Sequence, residues 1–171
     1  MATASMGEST GAGDAVLRLR EFQAGDEDAF RRLNEEWIVR YFKMEAKDEY
    51  AFANPRETIL DRGGRIFFTV RGDDVLGCCA LVAMGPGEFE VAKMAVTPRA
   101  RGAGVGRFQL EAVVAAARAA GVKRLYLETN HALTPAIRLY EGVGFVKVPE
   151  ERVVPSPYAR ADVFMEMWLG N

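Results

Sequence analysis

Histidine and cysteine are scarce in this chain of 171 residues, which has one histidine, His131, and two cysteines. A metal centre built from several histidines is therefore excluded, and Cys78 and Cys79 are too few for a cysteine cluster. The two thiols are adjacent on a strand-like segment, so their side chains are expected on opposite faces, which disfavours a disulfide between them. We expect reduced, buried thiols in a cytoplasmic protein and no bound metal.

Strong net charge and long apolar runs are also missing. The formal net charge is −2 at pH 7, so no overall basic field attracts nucleic acid or an anionic membrane. No segment has the apolar length of a membrane span, and no apolar signal-peptide core is found near Met1. We expect residues 1–14, rich in Gly, Ala, Ser and Thr, to form a flexible leader and residues 15–171 to form a single domain.

Hydrophobic periodicity predicts alternating strands and helices along this domain. Strands are expected at residues 16–20, 65–71, 75–84, 88–96, 124–129, 145–148 and 163–169, and helices at 26–42, 55–61, 104–120 and 134–142. Thr134 followed by Pro135 predicts a helix start with threonine as the N-cap. Strands and helices that follow one another along the chain are typical of an α/β fold.

The segment 99–107, Arg-Ala-Arg-Gly-Ala-Gly-Val-Gly-Arg, lies between a predicted strand and an alanine-rich predicted helix. Glycines let the backbone approach a ligand closely, and the first turn of a helix has unpaired N–H groups. These donors and the helix dipole favour a phosphate or pyrophosphate, and the three arginines add positive charge. The simpler alternative is a tight strand-to-helix connection with solvated arginines.

Two nucleotide-binding motifs compete for this segment. A Walker loop requires a lysine followed by serine or threonine, and the chain has no such pair. Gly102-Ala103-Gly104 matches the start of the dinucleotide-binding motif Gly-x-Gly-x-x-Gly, and Glu128 would be its ribose-binding acid. Arg107, however, occupies the position of the third glycine. The Walker loop is therefore disfavoured, and the dinucleotide fingerprint is the weaker interpretation of the segment.

Two blocks of sequence resemble the GNAT superfamily of N-acetyltransferases. Met94–Pro98, followed by Arg101-x-x-Gly104-x-Gly106, is similar to the acyl-CoA-binding motif of that family, Gln/Arg-x-x-Gly-x-Gly/Ala. The segment from Leu127 to Phe145 resembles its second conserved block, and the two blocks have the family's order and about its spacing.

The resemblance implies a central, mostly antiparallel sheet of six or seven strands, splayed between the fourth and fifth strands, with about four helices on both faces. It also implies acetyl-CoA as the co-substrate and direct transfer of an acetyl group to a primary amine of a small molecule. A protein or peptide acetyltransferase and a non-catalytic acyl-CoA sensor are the alternatives. Dimers are frequent in the family, so a homodimer stays open.

The resemblance places acetyl-CoA along two segments. The pantetheine arm would follow the strand at Met94, Ala95 and Val96, whose backbone N–H groups would polarise the thioester carbonyl. Asn130 would hydrogen-bond the pantetheine or order the water used by the base, or it would simply end the predicted strand. The pyrophosphate would bind the amides of the glycine-rich turn, which comprises Arg101, Gly102, Ala103, Gly104, Val105, Gly106 and Arg107.

Acetyl transfer to an amine needs a base and an acid, because an alkyl ammonium with a pKa of about 10 must lose a proton before it attacks. Glu90 resembles the catalytic glutamate of some family members. It precedes Val96 by six residues on one predicted strand, so both side chains are expected on one face. Tyr140, within the pattern Ala136-x-x-x-Tyr140-x-x-x-Gly144-Phe145, resembles the tyrosine that protonates the departing thiolate. A solvated glutamate and a buried core aromatic are the structural alternatives.

The resemblance also indicates the acceptor walls. Trp37 and Tyr41 would lie on one side, and Tyr158 and Arg160 on the other. Aromatic rings with an arginine suit a small amine that also bears a carboxylate, such as an amino acid, although the aromatics also fit simple core packing. His131 is interpreted as a loop residue, since the sequence offers it no carboxylate partner.

Overall fold

The computed structural model describes residues 16–170, so the predicted leader at residues 1–14 lies outside the described part of the chain. The strands are β1 Leu17–Glu21, β2 Arg65–Arg71, β3 Asp74–Gly85, β4 Glu88–Val96, β5 Arg124–Thr129, β6 Val146–Lys147 and β7 Val163–Trp168. The helices are α1 Glu27–Tyr41, α2 Ala46–Ala53, α3 Pro55–Thr58, α4 Val105–Ala119 and α5 Thr134–Val143.

The strands form one sheet in the order β1-β2-β3-β4-β5-β7-β6. Every pair of neighbours is antiparallel except β4 and β5, which are parallel. These two strands pair only where Glu88–Glu90 lies beside Arg124–Tyr126, and beyond that point they separate. The expected mixed sheet with a splay between the fourth and fifth strands is confirmed.

The two cysteines mark two apolar cores on opposite faces of the sheet. Cys79 packs with Leu110 of α4 and with Phe145, whereas Cys78 packs with Phe30 of α1 and Phe52 of α2. Burial raises the pKa of both thiols, that of Cys78 to about 12, so both are protonated at neutral pH. The opposite orientation predicted for the two side chains is confirmed.

The helices differ from the prediction in three places. The helix predicted at residues 55–61 is shorter, because α3 ends at Thr58 and a separate 3-10 turn follows at Leu60–Arg62. Helix α2 was not predicted; its start is fixed by the backbone N–H of Glu45, which donates to Asp48 Oδ2 at 3.0 Å. Glutamate is an uncommon N-cap, so the usual Ser, Thr, Asp or Asn signal is absent there. Helix α5 includes Thr134, and Leu133 rather than Thr134 occupies the N-cap. None of the helices within residues 16–170 combines the length and apolar character needed to cross a membrane.

A β-bulge in β4 changes which side chains face the pocket. Cys78 pairs with Ala95 but Ala80 pairs with Ala92, so the strand holds one extra residue near Lys93, whose φ is 50°. A bulge shifts the alternation of side chains by one position. Val91 and Ala95, four residues apart, accordingly pack into opposite cores.

Val96 shows the consequence of this shift. It packs with Val105 at the start of α4, on the face of the sheet opposite the one that carries Glu90. The expectation that Glu90 and Val96 share a face is wrong, because it assumed an uninterrupted strand.

Candidate active site

A pocket of about 900 Å³ opens where β4 and β5 separate. Strand β4, the end of β5, helices α1, α2 and α5, and the loop between β6 and β7 all contribute to its wall. The sequence-predicted residues that line it are Glu90, Met94, Arg101, Asn130, Tyr140, Trp37, Tyr41, Tyr158 and Arg160. The structure therefore brings the expected catalytic and acceptor side chains into one cavity.

Glu90 is the most unusual acid in this pocket. It is opposite Tyr126 at the last paired position of β4 and β5. Its carboxylate has neither a hydrogen bond nor an ion pair within residues 16–170. Burial raises its pKa to about 7; the charge of Glu128 adds to the rise, and Lys93 opposes it. Such a carboxylate exchanges its proton near neutral pH.

Glu128 is a pocket residue that the sequence interpretation did not assign to the active site. It lies two residues after Tyr126 on β5, so both side chains share a face. The hydroxyl of Ser156 donates to Glu128 Oε2 at 2.5 Å, and that of Tyr126 donates to Oε1 at 3.4 Å. This alternation along β5 is the signal that would have placed Glu128 beside Glu90.

Tyr140 reaches the pocket from α5. Its ring packs edge-to-face on Phe145, with the centroids 6.2 Å apart. Burial raises the pKa of Tyr140, and the nearby Cys79 adds to the effect, so the phenol stays protonated at neutral pH. Its hydroxyl has no protein partner in the described part of the chain and can donate to a ligand.

The glycine-rich turn presents open backbone groups. Gly102 and Gly104 both have a φ of 77°, and Gly104 comes directly before the first residue of α4. Residues 101–104 are exposed, so the N–H groups at the start of α4 are accessible to a ligand. Such a turn is suited to a pyrophosphate, and the binding of one here stays a prediction, as does the assignment of the individual turn residues.

The three arginines of this turn are not equivalent. Arg99 is ion-paired with Asp74, and Arg107 Nε donates to Glu111 at 2.8 Å. Arg101 lines the pocket and has no ion pair within residues 16–170. Of the three arginines expected to add charge, Arg101 is therefore the one that the geometry leaves for an anion.

Strand β4 offers an open main-chain edge along the predicted pantetheine path. Its pairing with β5 ends at Glu90, so the backbone from Val91 onward has no strand on that side. Buried Gln109 holds the bulge in place by donating to the carbonyls of Cys78 at 2.9 Å and Ala95 at 3.3 Å. Of the three predicted contact residues, Met94 lines the pocket and also packs against the core that contains Leu110, whereas Ala95 and Val96 pack into the cores without lining the pocket.

Asn130 has a structural task. Its Nδ2 donates to the carbonyl of Arg160 at 2.7 Å, and its Oδ1 accepts from the N–H of Ala132 at 2.8 Å. The side-chain amide therefore binds the loop between β6 and β7, which lies on the acceptor side of the pocket. The expectation that it binds pantetheine or a catalytic water receives no support from this geometry.

Arg160 also has partners within the protein. Both of its terminal nitrogens donate to Asp48 at 2.7 Å, and one also donates to Glu45 at 3.0 Å. Burial alone would raise the pKa of Asp48, but the bonds from Arg160 and from the Glu45 amide, with the charge of Lys93, lower it to about 2. The guanidinium is already paired with two protein carboxylates, so a substrate carboxylate would have to compete with them for it. Its role in binding an acceptor stays a prediction.

His131 has a partner that the sequence did not reveal. Its backbone N–H donates to Asp162 Oδ1 at 2.8 Å, and its ring contacts the other oxygen of that carboxylate. The side chain is 78% exposed. His131 is a loop residue, as expected, but the expectation that it lacks a carboxylate partner is wrong.

The splayed sheet and the glycine-rich turn before α4 are features of the acyl-transfer enzymes that the sequence resembles. The sequence profile of the Acetyltransferase (GNAT) family matches residues 27–145, and the chain belongs to that family. A comparison with the curated proteins gave no significant match.

Solved structures share the fold at low sequence identity. An acetyltransferase of the GNAT family from Staphylococcus aureus Mu50 aligns with a TM-score of 0.80 and 16% identity, over 91% of this chain and 100% of its own. Spermidine N-acetyltransferase from Vibrio cholerae, solved with CoA and spermine, aligns with a TM-score of 0.69 and 19% identity, over 90% of this chain and 95% of its own. The ribosomal-protein-S18-alanine N-acetyltransferase from Escherichia coli aligns with a TM-score of 0.69 and 20% identity, over 91% of this chain and 96% of its own. These similarities show the fold.

Proposed function

We propose that this protein is an acetyl-CoA-dependent N-acetyltransferase that transfers the acetyl group directly to a primary amine of a small molecule. The observation that carries the proposal is the environment of Glu90, a half-buried carboxylate without a partner in the described part of the chain and with a pKa of about 7, in the same pocket as Tyr140. A protein that only binds acyl-CoA has no use for such a carboxylate.

Glu90 acts as the base in this proposal. An acceptor amine enters as an ammonium with a pKa of about 10, and Glu90 accepts a proton from it directly or through one water. A pKa of about 7 leaves a substantial carboxylate fraction at neutral pH while keeping the group basic enough to take the proton. The neutral amine is then able to attack the thioester carbonyl of the co-substrate.

Tyr140 acts as the acid. As the new C–N bond forms and the C–S bond breaks, its hydroxyl gives a proton to the departing sulfur. The second proton, which the nitrogen loses as it becomes an amide, restores the phenol through solvent, and Glu90 releases the first proton to solvent. Open N–H groups on β4 after Val91 are suited to stabilise the developing oxyanion. The volume of about 900 Å³ and the aromatic side chains Trp37, Tyr41 and Tyr158 support a small acceptor.

The test is incubation of the pure protein with acetyl-CoA and a pool of amines that contains amino acids, polyamines, aminoglycosides and lysine peptides. Thiol release is followed together with mass spectrometry for the gain of one acetyl group. We expect one acetylated small molecule. An acetylated peptide would indicate a protein substrate, and acetyl-CoA binding without any product would favour a sensor.

A further inference from the structure

Asp48 joins three separate segments at the acceptor end of the pocket. Its carboxylate, fully buried on α2, accepts two hydrogen bonds from Arg160 and one from Lys93 Nζ at 3.1 Å. Lys93 belongs to the bulge of β4, and Arg160 belongs to the loop between β6 and β7. Both cations line the pocket, and Asp48 lies behind them.

The two cations are held by protein groups on several sides. Lys93 Nζ also donates to the hydroxyl of Tyr158 at 2.9 Å and lies 5.1 Å from the centre of the Phe52 ring. Arg160 has Glu45 as a second carboxylate and stacks 4.7 Å from the centre of the Tyr158 ring. Their side chains are only 11% and 14% exposed.

Charges in this region therefore balance without a substrate. Two cations, Lys93 and Arg160, are matched by two carboxylates, Asp48 and Glu45. The acids Glu90 and Glu128 add negative charge to the same pocket. The remaining cations that line it, Lys47, Arg62 and Arg101, are exposed and solvated.

We propose that Asp48 is a specificity-determining residue that directs the pocket toward amines with no carboxylate beside the amino group. It acts as a positioning residue, because it holds Lys93 and Arg160 in ion pairs and so neutralises the positive charge that they present to the pocket. A substrate carboxylate would have to compete with Asp48 for these cations, and it would be repelled by Glu90 and Glu128. The inference rests on the proposed function and narrows its substrate class.

Matched pairs of acceptors test this inference through turnover. The pairs are phenethylamine with phenylalanine, cadaverine with lysine, and agmatine with arginine, which differ only by a carboxylate. We expect the wild type to prefer the member without the carboxylate in kcat/KM. Asp48→Asn should reduce that preference by about tenfold or more, since one cation is then free, and Asp48→Glu should keep it. An unchanged ratio in Asp48→Asn, or a wild-type preference for the carboxylated member, would overturn the proposal.

A binding measurement tests the same point without turnover. With CoA-saturated protein, calorimetry with 3-phenylpropionate should show affinity for Asp48→Asn about tenfold or more above that of the wild type. Equal affinities would also overturn the proposal, even if the wild type acetylated no amine and the proposed function had failed.

The matched control is Asp26→Asn. Asp26 accepts two hydrogen bonds from Arg20, at 2.7 and 3.0 Å, and does not line the pocket. It should leave the acceptor ratio and the 3-phenylpropionate affinity unchanged, so a shift equal to that of Asp48→Asn would also contradict the proposal. Circular dichroism checks the folding of each variant. If Asp48→Asn does not fold, Glu45→Gln takes its place as the test, because it removes one ion pair of Arg160. It should reduce the preference for the acceptor without a carboxylate, and raise the 3-phenylpropionate affinity, by smaller factors.

Discussion

Glu90 and Tyr126 lie opposite each other at the last paired position of β4 and β5. One residue further along, the strands separate and the pocket begins. The hydroxyl of Tyr126 donates to Glu128 rather than to Glu90, so Glu90 receives no donor from its neighbour. A carboxylate held in this way keeps its proton to a higher pH than an exposed one.

Replacement of the carboxylate by an amide tests the role of Glu90 in catalysis. Loss of a general base typically costs about 100- to 10,000-fold, so Glu90→Gln should lower kcat/KM by that range and leave CoA affinity unchanged. Wild-type kcat/KM for the acceptor should rise with pH and level off above about 7, because only the ionised carboxylate accepts a proton. The control is Glu88→Gln on the same strand, which pairs with Arg124. A rise near the same pH that persists in Glu90→Gln would exclude this carboxylate as the base.

Glu90→Gln should lower activity but raise the free energy of unfolding at alkaline pH. The pKa of Glu90 is raised from 4.5 to about 7 on folding, so the folded state binds the proton more tightly than the unfolded state. Stability is therefore lost as pH rises through this interval, by about 3 kcal/mol in total. Urea unfolding should show Glu90→Gln to be more stable than the wild type at about pH 8, and equal to it at about pH 4. Equal stabilities at both pH values would show that the carboxylate is not desolvated.

Tyr140→Phe separates catalysis from binding. The change removes one hydroxyl and keeps the ring that packs against Phe145. We expect turnover to fall by about 100-fold or more, with CoA affinity nearly unchanged, because the proton donor to the departing thiolate is lost. Steady-state kinetics and calorimetry with CoA check the two quantities. Turnover equal to that of the wild type would remove Tyr140 from the mechanism.

Local patterns in the sequence were sufficient for most of the fold. Alternation along the strands and the 3.6-residue period of α1 and α4 placed these elements within a few residues. They were not sufficient where a tertiary contact decides the outcome. The bulge at Lys93 depends on pairing with β3 and on Gln109 from α4, and neither is visible in β4 itself.

The candidate site shows the same limit. Glu90 and Tyr140 line one pocket together with the predicted aromatic residues Trp37, Tyr41 and Tyr158. The partners of Arg160 did not follow from the sequence, because Asp48 and Glu45 are more than a hundred residues away and α2 was not predicted. A residue type indicates which charge is present, whereas its availability to a substrate depends on ion pairs formed in three dimensions.

The glycine-rich turn can be tested with two glycines that flank α4, one before its first turn and one after its last. Gly104 and Gly121 have φ values of 77° and 76°, and an added Cβ meets no atom within 4 Å at either site. Alanine at a positive φ costs about 1–2 kcal/mol at both positions, but only Gly104 shapes the amides at the start of α4. Gly104→Ala should raise the KM for acetyl-CoA by about 5- to 30-fold with the acceptor KM unchanged, and Gly121→Ala should lose similar stability with normal kinetics. Equal effects of both variants on the KM for acetyl-CoA would mean that the turn does not bind the pyrophosphate.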